Sequence, residues 1–287
     1  MTRVLISDKL SPAAVEIFRT RGIEVDVRPG LTPAELRAVI GDYDGLAIRS
    51  ATKVTRELLD AAPRLRVVGR AGIGVDNVDV KSATARGVVV MNTPNGNAIT
   101  TAEHAIAMMF ALARQIPEAT ASTRAGKWEK NRFMGVELTG KTLGLIGCGN
   151  IGSIVAERAV GLRMRVIAYD PFLTTARAVA LGVEKVELSD LLARADVITL
   201  HTPLTDATRN ILSREALASC KRGVRIVNCA RGGLIDEAAL AEALTSGQVA
   251  GAALDVFETE PAIASPLFAL ENVVCTPHLG AATAEAQ

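Results

Sequence analysis

The stretch "KTLGLIGCGNIG", Lys141 to Gly152, constrains the fold more than any other. An apolar run enters Gly147-Cys148-Gly149-Asn150-Ile151-Gly152, and "SIVAERAVG" behind it has helical spacing. The first glycine permits a tight turn, the second lets the backbone come close to a ligand, and the third allows the helix to pack against the strand. The turn also aims the first N–H groups of the helix past the strand end, where they attract an anion. Such a unit belongs in a parallel sheet covered by helices.

The rest of the chain repeats the alternation. Upstream, "VLIS", "IEVDV", "GLAIRS", "LRVVGR" and "GVVVMN" read as strands, with helices opening at Ser11-Pro12 and Thr32-Pro33. Downstream, "RVIAYD", "DVITLHTP", "VRIVNCA", "GAALDV" and "NVVCTPH" continue the pattern. Strands separated by helical segments imply right-handed βαβ units, hence an α/β protein with two doubly wound parallel sheets. The first domain is expected at roughly 1–96 and the second, a Rossmann domain, at 97–282. Between them, Ile99, Ala102, Ile106, Met109, Ala113 and Ile116 recur at helical spacing, which predicts one long helix from Asn97 to Ser122. A chain of 287 residues, 49% hydrophobic, is long enough for two cores.

Charge excludes some partners. Lys plus Arg total 32 against 31 acidic residues, so no net field draws nucleic acid or anionic lipid. "AIAMMFALA" is the longest strongly apolar helical run, far short of the roughly 20 residues of a membrane span. The N-terminus lacks a secretory pattern, so a cytoplasmic location is expected. The four cysteines are scattered without a C-x-x-C pair or a histidine at metal-ligand spacing, and neither a disulfide framework nor a metal is expected.

The strand after the glycine turn ends in Asp170, where a carboxylate accepts hydrogen bonds from adenosine ribose hydroxyls. The pair reads as a dinucleotide site, and a carboxylate there would repel a 2′-phosphate, favouring NAD over NADP. "GRAGIGVDN" holds Gly72-Ile73-Gly74 but has Asn77 at the third glycine position, so it is no second dinucleotide site. With Arg70 beside it, the turn reads as a substrate loop that binds a small anion, a purely structural turn being the alternative. Arg231, at the end of a strand and before Gly232-Gly233, is placed at the ligand crevice, the glycines letting a ligand approach. Of three histidines, His104 is read as packing between domains and His201 as support for a turn. His278, ending a strand beside small residues, is the acid/base candidate.

The set "GCGNIG", "LHTPLT", "NCARGGLIDE", "ALDVFETEP" and "TPHLGAAT" resembles the D-isomer-specific 2-hydroxyacid dehydrogenases along essentially the whole chain. The resemblance implies a flavodoxin-like substrate domain, an NAD-binding Rossmann domain, and a catalytic set of Arg231, Glu260 and His278. It further implies cofactor contacts at Ile73, Gly147, Gly149, Asn150, Ile151, Gly152, Asp170, Thr202, Cys229, Ala230, Asp255, Gly280 and Ala281. Substrate contacts are implied at Arg49, Ser50, Arg70, Gly72 and Asn97. "NTPNGNAITTAEH" and "RAGKWEKNRFMG" narrow it to a branch that oxidises 3-phospho-D-glycerate to 3-phosphohydroxypyruvate, the first step of L-serine synthesis. A homodimer or homotetramer is implied, as is further chain past Gln287 completing the first domain. The alternatives are a sister reductase of glyoxylate or hydroxypyruvate, and an NAD-sensing corepressor-like binding protein.

Overall fold

A computed structural model describes residues 2–286. It divides into two compact units, residues 2–97 with 283–286, and Ala98–Ala282. Among the described residues, no helix is long and apolar enough to cross a membrane.

The first unit is a five-stranded sheet of β1 (Arg3–Ile6), β2 (Glu24–Val27), β3 (Gly45–Ile48), β4 (Val67–Arg70) and β5 (Val89–Asn92). The order is β2-β1-β3-β4-β5 and every pairing is parallel. Its helices are α1 (Pro12–Thr20), α2 (Pro33–Val39), α3 (Arg56–Asp60) and α4 (Val80–Ala85). Ser11 and Thr32 cap α1 and α2, each followed by a proline whose missing N–H costs nothing in the first turn. Leu5, Leu46, Ile48 and Val68 pack one face of the sheet, Val4 and Ile6 the other. Strand order reverses between β1 and β3, so the ligand crevice of such a sheet opens at their carboxyl ends. There lie Ser7 and Asp8 after β1, and Arg49 and Ser50 after β3.

The second unit carries seven parallel strands: β6 (Thr142–Ile146), β7 (Arg165–Tyr169), β8 (Glu184–Lys185), β9 (Val197–Leu200), β10 (Val224–Asn228), β11 (Val249–Leu254) and β12 (Val273–Cys275). Their order is β12-β11-β10-β9-β6-β7-β8. The helices are α5 (Ala98–Arg114), α6 (Ile116–Arg124), α7 (Asn150–Gly161), α8 (Thr175–Leu181), α9 (Leu188–Arg194), α10 (Arg214–Ser219) and α11 (Glu237–Thr245). The central strands β6 and β9 are buried throughout, which is why they read as continuous apolar runs. The switch point lies between them, above Gly147 and His201.

One expectation fails. The single helix over Asn97–Ser122 is two helices, α5 and α6, broken at Gln115 in a left-handed conformation with φ 52°. Pro117 cannot donate to the Ala113 carbonyl, which instead accepts from Val136 N at 2.9 Å. The apolar spacing continues across the break and conceals it. The two-residue β8 has no apolar run to announce it.

Candidate active site

In the second unit, the turn after β6 has the form its glycines demand. Gly147 has φ +94°, and a Cβ there would stand 2.6 Å from the His201 carbonyl oxygen; a Cβ on Gly152 would run into the Gly147 carbonyl. Gly149 faces open space, with nothing within 4 Å of where a Cβ would be. Helix α7, which begins at Asn150 and Ile151, has no side-chain cap at Gly149, and a helix N-terminus attracts an anion. Asp170 accepts from Cys148 N at 2.7 Å and from Phe172 N at 2.8 Å, one bond per oxygen. Each oxygen keeps lone-pair capacity for a ribose hydroxyl. An open glycine, an uncapped helix end and a fixed carboxylate fit a dinucleotide.

His201, expected to support the Thr202-Pro203 turn that follows it, also packs against the glycine turn. Its carbonyl lies under Gly147, its ring bonds Thr199 Oγ1 at 2.9 Å, and burial pushes its pKa down to about 4. Thr202 follows it directly, its N within 3.0 Å of the Gly147 Cβ position. Cys229 and Ala230, past β10, are buried, and burial holds the Cys229 thiol far above its ordinary range.

His278 and Glu260 meet: Nδ1 lies 2.7 Å from Oε2. Bonding to Glu260 raises the histidine pKa against the opposing effect of burial, and the Asp255 charge adds to it. Arg231 is near enough for its positive charge to act in the other direction. For Glu260, burial favours the neutral acid but is outweighed by the bonds from His278 and Phe257 N, so its pKa is lowered. Both shifts favour an ion pair whose outer ring nitrogen, Nε2, is positioned by the inner one. The Arg231 guanidinium donates to the Ala230 carbonyl at 2.6 Å, and Asn228 Nδ2 holds the Arg231 carbonyl at 2.9 Å.

The glycines after Arg231, expected to let a ligand approach, also serve packing and turn geometry within the unit. A Cβ on Gly232 would coincide with the Phe257 carbonyl, so this glycine lets the arginine loop press on the loop that carries Glu260. Gly233 has φ +80° and completes the turn. Glu237 secures the same loop, accepting from Glu258 N at 2.6 Å; burial raises its pKa against that bond. Sequence reasoning missed Glu237, although it closes "RGGLIDE" as the first residue of α11.

Asp255, expected as a cofactor contact, anchors the loop that follows β12. It is 0% exposed, and its carboxylate is occupied by Thr276 Oγ1 at 2.6 Å, Leu279 N at 2.7 Å and Gly280 N at 2.8 Å. These bonds fix the loop in which His278 takes the left-handed φ of 57°, uncommon for a residue with a Cβ. His104 joins this network: its Nε2 lies 3.2 Å from Asp255 Oδ1 and from Thr276 Oγ1. The loop that Asp255 holds continues into Ala281.

In the first unit, the expected substrate residues gather at the carboxyl ends of the strands. Arg49 and Ser50 follow β3, and Arg70 ends β4 with its guanidinium lying where a side chain on Gly72 would be. Gly72 has φ +155° and donates to Thr93 Oγ1 at 2.8 Å. The Ile73 carbonyl accepts from Asn92 Nδ2 at 2.7 Å. Asn97 Oδ1 is buried without a hydrogen-bond partner among the described residues.

Residues 106–280 match the family model described as D-isomer specific 2-hydroxyacid dehydrogenase, NAD binding domain. The chain is 53% identical over 286 residues to a D-3-phosphoglycerate dehydrogenase of Mycobacterium tuberculosis (strain ATCC 25618 / H37Rv), covering 99% of this chain and 54% of that one. It thus spans about half the length of the curated relatives it matches. Among solved structures, the TT0316 protein from Thermus thermophilus is similar at TM-score 0.91 and 40% identity, over 99% of this chain and 92% of the other. A glyoxylate reductase from Paecilomyes thermophila is similar at TM-score 0.92 and 32% identity, over 99% and 90%.

Proposed function

We propose, since the chain belongs to the D-isomer specific 2-hydroxyacid dehydrogenase family, that it oxidises 3-phospho-D-glycerate to 3-phosphohydroxypyruvate with NAD, the first step of L-serine synthesis. The observation that carries this reading is the His278–Glu260 pair at 2.7 Å, with the Arg231 charge acting on the same imidazole. Arg231 offers a planar fork that holds the substrate carboxylate. His278 Nε2 takes the C2 hydroxyl proton, and Glu260 stabilises the imidazolium that results. NAD, when bound, supplies the acceptor for the hydride leaving C2. Gly147, Gly149, Asn150, Ile151 and Gly152 would hold its pyrophosphate and Asp170 its ribose, while the loop from His278 through Gly280 and Ala281 closes on the nicotinamide end.

Arg49, Ser50, Arg70, Gly72 and Asn97 are assigned to the substrate anion, which the two arginines make a phosphate. The four free cysteines suit a reducing compartment such as the cytoplasm. Trp128 and Met134, 85% and 81% exposed, support a self-associating surface in a homodimer or homotetramer. The test is NADH formation by the full-length protein across phosphorylated and unphosphorylated 2-hydroxyacids, at alkaline pH with the product trapped. The expected result is the highest kcat/KM for 3-phospho-D-glycerate. A higher value for glycolate or glycerate would transfer the chain to the glyoxylate and hydroxypyruvate reductases, and NAD binding without turnover would favour a sensing protein.

A further inference from the structure

The turn from Arg49 to Thr52 is held from two sides by side chains that lie outside both the catalytic and the substrate set. Asp8, 5% exposed at the end of β1, accepts from Arg49 N at 2.6 Å, from Thr52 N at 3.2 Å and from Thr52 Oγ1 at 2.6 Å. Asn77 donates from Nδ2 to the Arg49 carbonyl at 2.7 Å and to the Thr52 carbonyl at 2.6 Å. Ser7 Oγ bonds Thr52 Oγ1 at 2.8 Å. All four backbone polar groups that flank Ser50 and Ala51 are thus taken by Asp8 and Asn77, while Ser50 and Ala51 themselves remain exposed at the apex. Asn77 is itself anchored, its carbonyl accepting from Val54 N at 2.7 Å across the Val54–Val78 bridge.

We infer that Asp8 and Asn77 are positioning residues that preform the Arg49–Thr52 turn for the substrate's anionic group, and so set the preference for a phosphorylated substrate. The inference rests on the reading that Arg49 and Ser50 bind that group. Its physical interest is one of sign. A carboxylate beneath an anion site repels the anion, so on charge alone its removal should tighten binding. A clamp predicts the reverse, because a turn that must be ordered on binding lowers affinity.

The test measures KM and kcat for 3-phospho-D-glycerate, the dissociation constant for NAD, and the melting temperature in full-length wild type, Asp8→Ala, Asp8→Asn and Asn77→Ser. Asp8→Ala and Asn77→Ser are expected to raise KM about ten-fold, the worth of roughly one hydrogen bond, and to raise it more than they lower kcat. NAD affinity stays at its wild-type value, and the preference over unphosphorylated D-glycerate shrinks. Asp8→Asn, whose amide oxygen still accepts from Arg49 N, restores most of the loss. Should Asp8→Ala not fold, Asn77→Ser carries the same expectation from the carbonyl side. An unchanged or lower KM, with only the melting temperature falling, overturns the inference. A wild type without preference for phosphorylated acids is visible before any variant is made, and overturns the underlying reading and this inference with it.

Discussion

The sites proposed for the two units are built by opposite means. In the second, the working groups are side chains paired with one another: His278 on Glu260, with Arg231 acting on the same ring. In the first, Ser50 and Ala51 stand at a turn whose backbone is gripped by Asp8 and Asn77, residues that face the turn rather than its apex. A site of paired side chains is tuned by charge and responds to pH. A site of clamped backbone is tuned by geometry and responds to the loss of a hydrogen bond. Proton transfer needs the first kind, and recognition of an oxyanion such as a phosphate is served by the second.

The largest expected effect breaks the side-chain site at its centre. Asparagine tolerates the left-handed backbone that His278 adopts, so His278→Asn removes the imidazole without straining the loop. A fall in kcat of about 10²- to 10⁴-fold is expected, the usual worth of general acid/base catalysis, with NAD affinity retained in a fluorescence titration. Loss of NAD binding with little change in kcat would assign the residue to packing instead. Next in size is Gly232→Ala, which tests whether even the side-chain site depends on close backbone contact. The new methyl would occupy the place of the Phe257 carbonyl, and overpacking of this kind costs about 1–3 kcal/mol. Urea unfolding should register that loss, and kcat should fall with it, because the displaced loop carries Glu260.

How much of this was legible in the sequence follows the same division. The strands were, because β6 and β9 are buried on both faces and cannot avoid apolar runs. The glycine turn was, because its constraints lie within six consecutive residues. Asp170 and the strand-end position of Arg231 followed from topology. The His278–Glu260 contact joins two loops 18 residues apart and entered only through family resemblance. Asp8 and Asn77 left no local signal: their partners lie 41 and 28 residues away, and each reads as an ordinary turn residue. Pro117 was visible, but the apolar period on either side of it masked the break between α5 and α6. Asp255 was noticed for its place at a strand end, yet only its zero exposure reveals that it faces inward.

The smallest effect sharpens the comparison most, since it asks whether the pairing in the second unit acts on protons or merely on stability. Glu260 raises the His278 pKa, and His278 lowers that of Glu260. The pair's contribution to stability is complete only between the two: it fades as pH falls through the depressed Glu260 value and as pH rises through the raised His278 value. With side chains 48% and 35% exposed, that contribution is screened and amounts to about 0–1 kcal/mol at most, so Glu260→Gln should move the melting temperature little. The pH profile should move visibly. Oxidation requires neutral His278, so activity rises as pH passes its pKa. Without the Glu260 charge that pKa falls, and the rising limb of kcat/KM shifts to lower pH. Reduction requires the imidazolium, so its falling limb shifts the same way. The equivalent substitution in the clamp, Asp8→Asn, should leave both limbs where they are. An unmoved profile in Glu260→Gln together with a large drop in melting temperature would make Glu260 a structural support, and the contrast between the two units would disappear.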